Sequence, residues 1–109
     1  MKTLIDGHNA LGALDIRGRT HEERRHALMS IVASLATDAV IYFDARKSPE
    51  GLLNREGRHG VLAEYCRDAP ADDYILEAVR NAQRPADILV VSNDREVTGK
   101  AKQDRKSVV

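Results

Sequence analysis

Thr3-Leu4-Ile5-Asp6-Gly7-His8-Asn9 is the stretch whose reading decides this chain. Thr3-Leu4-Ile5 is a short apolar run stopped by Asp6-Gly7, which predicts a buried strand followed by a turn. The same shape returns twice. Ala39-Val40-Ile41-Tyr42-Phe43 runs apolar to Asp44, and Ile88-Leu89-Val90-Val91 runs to Ser92-Asn93-Asp94. These are continuous apolar runs, not alternations, so each strand is expected to bury both faces, as strands of a parallel sheet do.

Helical patterns separate the strands. Thr20 reads as an N-cap with Glu23 completing a capping box. Ala27, Leu28, Ile31, Val32 and Leu35 follow at helical spacing, which predicts a helix from about His21 to Ala36. A second helix is expected to start at Asp72 or Asp73, just after Pro70, with Tyr74, Ile75, Ala78 and Val79 on one face. Leu11 to Arg19 reads as a loop with or without a helical turn, and Ala45 to Gly60 as a loop long enough to carry function. Val61 to Tyr65 is read as a third strand, 95 to 104 as a short charged helix, and Ser107-Val108-Val109 as a last edge strand. Strands joined through helices imply right-handed crossovers and a mainly parallel sheet, an α/β fold.

Composition bounds the rest. The chain has 109 residues, the length of one domain, here 1–109. Seventeen basic and seventeen acidic residues cancel, which excludes a strongly basic nucleic-acid wrapper and an acidic tail. Aromatics at 4% are too few for a base-stacking platform. The single cysteine, Cys66, excludes an internal disulfide framework and a cysteine-based zinc site, and it reads as a small buried side chain. No apolar run approaches the roughly 20 residues of a membrane span, and the N-terminus lacks a signal-peptide core. The expectation is a reduced, cytoplasmic domain with no membrane partner.

In an open parallel sheet the ligand crevice lies outside the carboxyl ends of the strands. Asp6, Asp44 and Asp94 all follow strands and would share that edge, and Asp72 and Asp73 would face it from a helix start. Converging carboxylates repel unless a cation compensates. Hard oxygen ligands suit Mg²⁺ or Mn²⁺ better than zinc, and such a site matches phosphoryl transfer. Taken singly, each aspartate also reads as a turn residue or a helix cap. Asp72 and Asp73 are the best cap candidates. Arg46 and Lys47 directly follow Asp44 and are placed for phosphate contacts, and Arg95 beside Asp94 reads as a phosphate ligand or a partner for a carboxylate. The other basic clusters read equally as solvated faces. His21, His26 and His59 show no zinc-ligand spacing and are expected at the surface, while His8, beside Asp6, reads as a phosphate contact or as a residue with no role in the chemistry.

Four motifs in order then make a pattern. Leu4-Ile5-Asp6-Gly7-His8-Asn9, Ile41-Tyr42-Phe43-Asp44, Ala71-Asp72-Asp73-Tyr74-Ile75 and Val90-Val91-Ser92-Asn93-Asp94-Arg95 resemble the motifs of the YacP-like NYN domains, a branch of the PIN-domain-like nucleases. The resemblance covers about residues 3 to 109. It implies a three-layer α/β/α sandwich with a mainly parallel central sheet and a Mg²⁺- or Mn²⁺-dependent ribonuclease acting on RNA. Carried over by motif, Asp6, Asp72 and Asp94 would be the principal metal-binding acids, with Asp44 a fourth and Asp73 a stand-in. Asn9 would hydrogen-bond within the acidic cluster. Ser92 and Asn93 would form the polar turn on the substrate side of the last acid. Pro70 stands where many PIN-like nucleases place another acid, and the chain stops sooner than family members commonly do. These departures keep a second reading open, a catalytically weakened RNA- or protein-binding module. An exposed last edge strand would favour a homodimer.

Overall fold

The computed structural model describes residues 1–46 and 54–92 together with the backbone of 107–108. The expected helix over 95–104 lies outside the described residues. In chain order the elements are β1 (Lys2–Asp6), α1 (Gly7–Ala13), α2 (His21–Leu35), β2 (Ala39–Asp44), β3 (Arg55–Arg58), β4 (Val61–Cys66), α3 (Ala71–Arg80), a 3-10 turn (Pro85–Asp87), β5 (Ile88–Val91) and β6 (Ser107–Val108). They form a six-stranded sheet of order β3-β4-β2-β1-β5-β6. Every pairing is parallel except the β3–β4 hairpin. The expected α/β architecture is therefore present, with helices on both faces.

The strands are apolar on both sides because both sides are covered. Ile5, Ile41, Phe43, Val61 and Ala63 pack toward α1 and α2 with Leu11, Leu28, Met29 and Val32. Leu4, Val40, Tyr42, Cys66 and Val90 pack toward α3 with Ile75 and Val79. Adjacent strand residues point to opposite faces, so one strand feeds both cores. Each buried Leu, Ile or Val side chain contributes about 1.5–3 kcal/mol. Among the described residues, no helix is long and apolar enough to cross a membrane.

Four local features depart from the sequence reading. First, the turn expected after Asp6 is the start of α1, and Leu11 is buried there instead of lying in a loop. Second, the buried stripe of α2 is Leu28, Met29 and Val32. Ile31 is 38% and Leu35 80% exposed, because the helix presents a face rotated from the one the apolar spacing suggests. Half of its capping box is as expected: Thr20 Oγ1 accepts from the Glu23 N–H at 3.1 Å, but Glu23 accepts from the Arg19 N–H at 2.7 Å, one residue before the cap, instead of from Thr20.

Third, the end of the expected loop over 45–60 is a strand. β3 pairs with β4 through the two-residue turn His59-Gly60, and both residues have positive φ, 55° and 82°. That is the backbone a tight hairpin with right-handed twist demands. Glu56 ties the hairpin to α2. It accepts from His26 Nε2 at 2.9 Å, Tyr65 OH at 2.9 Å and Arg58 Nε at 3.0 Å. His26 is therefore half-buried, not a surface residue. Burial pushes the Glu56 carboxyl up, but these donors outweigh it and leave it below its ordinary value.

Fourth, α3 begins at Ala71, with Pro70 in the cap position and no side-chain cap. Asp72 and Asp73 stand in its first turn and are not its caps. Negative charge there is favoured by the helix dipole, and the charges of both act on Arg46, just beyond β2.

Candidate active site

The strand order fixes where the site lies. β1 is central, with β2 on one side and β5 on the other. The chain leaves β1 toward β2 through α1 and α2, and returns from β4 to β5 through α3. The connection reverses between β1 and β5, and the crevice outside the carboxyl ends of those strands is where open α/β sheets bind ligands.

Strand parity aims the side chains into it. Leu4, Val40, Tyr42 and Val90 belong to the α3-facing core. Two residues along from Leu4, Tyr42 and Val90, the same face is presented by Asp6, Asp44 and Ser92. The first turn of α3, with Asp72 and Asp73, begins on that face. One face of the sheet edge thus collects the acids.

Asp6 is the best-built of them. It is 9% exposed and closes β1. Its Oδ1 accepts from the Asn9 backbone N–H at 3.3 Å, which makes Asp6 the N-cap of α1. Its Oδ2 accepts from Asn9 Nδ2 at 3.1 Å, and the same amide donates to Ser92 Oγ at 3.1 Å. Asn9 therefore clamps the ends of β1 and β5 together across the reversal point. Gly7 lets this happen. A Cβ on Gly7 would overlap the Phe43 ring and lie 3.0 Å from the Tyr42 carbonyl oxygen, so only glycine lets α1 start this close to β2. Burial raises the Asp6 carboxyl above its ordinary 3.8, and the neighbouring charge of Asp72 pushes the same way. The Asn9 and His8 backbone N–H groups and the His8 ring oppose this without cancelling it.

Asp44 is held differently. Arg46 Nη2 donates to its Oδ2 at 2.7 Å and Nε to its Oδ1 at 3.0 Å, and the Arg46 N–H donates to Oδ1 at 3.2 Å. These bonds, the Arg46 side chain's foremost, hold the Asp44 carboxyl below its ordinary value. The His8 ring, packed edge-on to Phe43, reaches the Asp44 carbonyl oxygen through Nε2 at 3.3 Å. Cys66 ends β4 beside Asp44, fully buried. Burial first, then the charges of Glu64, Asp44 and Asp6, push its thiol up to about 12, so it offers neither nucleophile nor soft metal ligand at neutral pH.

Of the residues the sequence singles out, Asp6, Asn9, Ser92, Asp44, Arg46, Asp72 and Asp73 are brought to this one edge. Lys47, Asn93, Asp94 and Arg95 lie outside the described residues. The sequence reading missed the double role of Asp6 as helix cap and site acid. The available signal was Asp6 followed three residues later by Asn9, the spacing of a cap and its N3 partner.

The acids form a hard-oxygen set with no soft ligand available. Among the described residues, no group of three His, Cys, Asp or Glu side chains is placed to hold a metal ion. Mg²⁺ does not require one, since it keeps several waters and uses one or two carboxylates. The pair Asp6 and Asp72, one buried and burdened by the other's charge, fits that requirement.

Comparison with known proteins agrees with the fold. No curated protein matches the chain in sequence. The crystal structure of a tryptophan-to-leucine mutant of Rae1 (YacP) from Bacillus subtilis superposes with a TM-score of 0.75 at 19% identity, covering 99% of this chain and 67% of that one. A second crystal structure of Rae1 (YacP) from Bacillus subtilis gives 0.65 at 22% identity, covering 96% and 75%. The family model described as the YacP-like NYN domain matches residues 3–104, nearly the whole chain. The site edge, the sheet order and this match converge: the chain belongs to the YacP-like NYN domain family, whose PIN-like domains are nucleases in general.

Proposed function

We propose that this chain is a Mg²⁺- or Mn²⁺-dependent ribonuclease that hydrolyses RNA phosphodiester bonds at the edge formed by Asp6, Asp44, Asp72 and Asp94. The single observation that supports this most is Asp6, a buried carboxylate at the reversal point of the sheet with a second carboxylate acting on it. A buried acid burdened by a like charge is what a divalent cation relieves.

In this reading Asp6 and Asp72 hold the cation, with Asp94 completing the set and Asp73 as a stand-in. When bound, the cation neutralises the carboxylates and acts as a Lewis acid on the phosphodiester. Asn9 fixes the Asp6 carboxylate and Ser92 in one orientation, so no reorganisation is needed when charge develops. Ser92 and Asn93 would contact the substrate. Arg46, Lys47 and Arg95 supply phosphate contacts that position the strand without reading its sequence. The reduced thiol of Cys66 suits a cytoplasmic setting.

The test is cleavage of single-stranded and structured RNA by the purified chain, with Mg²⁺, with Mn²⁺ and with chelator. Cleavage is expected only with the cation, and Asp6→Asn and Asp72→Asn are expected to lower it about 10²–10³-fold, as loss of a preorganised electrostatic group does. Cleavage that survives chelator or Asp6→Asn refutes the reading. RNA affinity indifferent to both, with no cleavage, would make the chain a binding module instead.

A further inference from the structure

Arg46 occupies an unusual place for a residue expected to contact substrate. Its guanidinium is spent on Asp44, through Nε to both carboxylate oxygens at 3.0 and 3.2 Å and through Nη2 to Oδ2 at 2.7 Å. The charges of Asp72 and Asp73 act on it as well. A single cation therefore already serves three of the acids at this edge, and it belongs to the chain itself. The pair is open to solvent, with the Arg46 side chain 48% and the Asp44 side chain 29% exposed. An ion pair in that setting is weak and breaks readily. The backbone just before Arg46 is anchored independently, since the Ala45 N–H donates to the Cys66 carbonyl at 2.7 Å. The side chain can swing while the turn that carries it stays in place.

We infer that Arg46 is an internal counter-ion, displaced from Asp44 when a divalent cation enters the acidic edge and thereby freed to hold a phosphate of the RNA strand. The inference rests on the metal-dependent reading above. Two cations cannot both neutralise Asp44 and Asp72 at close range without repelling each other. The guanidinium fork matches a phosphate as well as it matches a carboxylate. Entry of the metal and capture of the substrate are then linked: the first releases the group that performs the second. In the free chain the same pairing offsets the charge of Asp44 at this edge. Arg46 is on this view a substrate-binding residue that metal entry releases.

Two readouts test it on the full chain. Mn²⁺ affinity is measured by calorimetry for wild type and Arg46→Gln. The Arg46 Nε–H resonance is followed by ¹⁵N NMR as Mg²⁺ is added, and then as an oligouridylate is added. Arg46→Gln is expected to tighten Mn²⁺ about two- to fivefold, the factor by which an exposed ion pair shifts an equilibrium. The Nε–H resonance is expected to move toward that of a solvated arginine with Mg²⁺, and to shift again with the oligonucleotide. Unchanged or weaker Mn²⁺ affinity in Arg46→Gln, or an Nε–H resonance indifferent to saturating Mg²⁺, overturns the inference and leaves the metal site standing. Absence of Mn²⁺ binding in both proteins overturns the metal-dependent reading and this inference with it.

Discussion

Replacing Asn9 by alanine removes the amide that joins β1 and β5 at their carboxyl ends. Two hydrogen bonds go: Nδ2 to Asp6 Oδ2 and Nδ2 to Ser92 Oγ, each 3.1 Å. The cap bond from the Asn9 backbone N–H to Asp6 Oδ1 can remain, because it needs no side chain. A hydrogen bond to an ionised carboxylate is worth about 1.5–3 kcal/mol and a neutral one about 0.5–1.5 kcal/mol. Asn9→Ala should therefore cost about 2–4 kcal/mol at neutral pH. The loss has a pH signature. Asp6 loses a donor to its charged form, so its carboxyl, already raised by burial, rises further. A carboxyl whose folded value lies above its unfolded one destabilises the fold once it ionises, so stability falls as pH rises through the folded value. Wild type and Asn9→Ala should then lie closest below pH 3.8, the ordinary value of Asp6, and diverge as pH rises. Urea unfolding at several pH values measures this directly, since a slope of about 1–3 kcal/mol per molar turns the expected change into a midpoint shift of about 1 M or more. A cost below about 0.5 kcal/mol, or one that grows toward acid pH, would refute the clamp.

Three further outcomes follow from the same geometry. Gly7→Ala should destabilise the chain by about 1–3 kcal/mol in the same urea assay, because the new Cβ meets both the Phe43 ring and a backbone carbonyl that cannot turn aside; a neutral effect would mean that α1 does not start against β2. Carbon-detected NMR titration should find Asp6 ionising above 3.8 and Asp44 below it. Asp44 thus stabilises the fold at pH values above 3.8, and that contribution is lost as pH falls through its lower folded value; the reverse order of the two residues would contradict the burial and pairing described here. Cys66, fully buried with its thiol pushed up to about 12, should resist a thiol reagent at pH 8 until urea unfolds the chain, and rapid labelling of native protein would contradict its place in the core.

The sequence carried the strands of the central sheet because burial on both faces leaves a mark that needs no context. Ile41-Tyr42-Phe43 and Leu89-Val90-Val91 are apolar runs in any setting. It carried α2 through a capping box, a local signal, but not the face that α2 buries. Ile31 and Leu35 fit the helical spacing as well as Met29 does, and the choice between them is made by the sheet below. β3 was illegible for a physical reason. Arg55-Glu56-Gly57-Arg58 is a polar edge strand held by pairing with β4 and by the bonds that its Glu56 accepts from His26 and Tyr65, and none of these leaves a mark in its own pattern of hydrophobicity. The one local hint was His59-Gly60, a weaker form of the turn that Asn-Gly announces. The site was legible in outline, since acids after parallel strands must share an edge. The pairing of Asp44 with Arg46 was not. Two residues apart in a turn, they could equally have pointed apart, and only the folded backbone brings the guanidinium onto the carboxylate. The same holds for Asn9, whose contact with Ser92 spans 83 residues of chain.

Divalent-cation binding by Asp6 is the claim on which the proposed function turns, and Mn²⁺ calorimetry on wild type and Asp6→Asn measures it most directly. Wild type should bind, and Asp6→Asn should bind at least about 10–100-fold more weakly, the loss seen when even a supporting residue of a metal site is removed. Equal affinity in the two proteins, or no binding by wild type, would contradict it and leave Asp6 as a helix cap and nothing more.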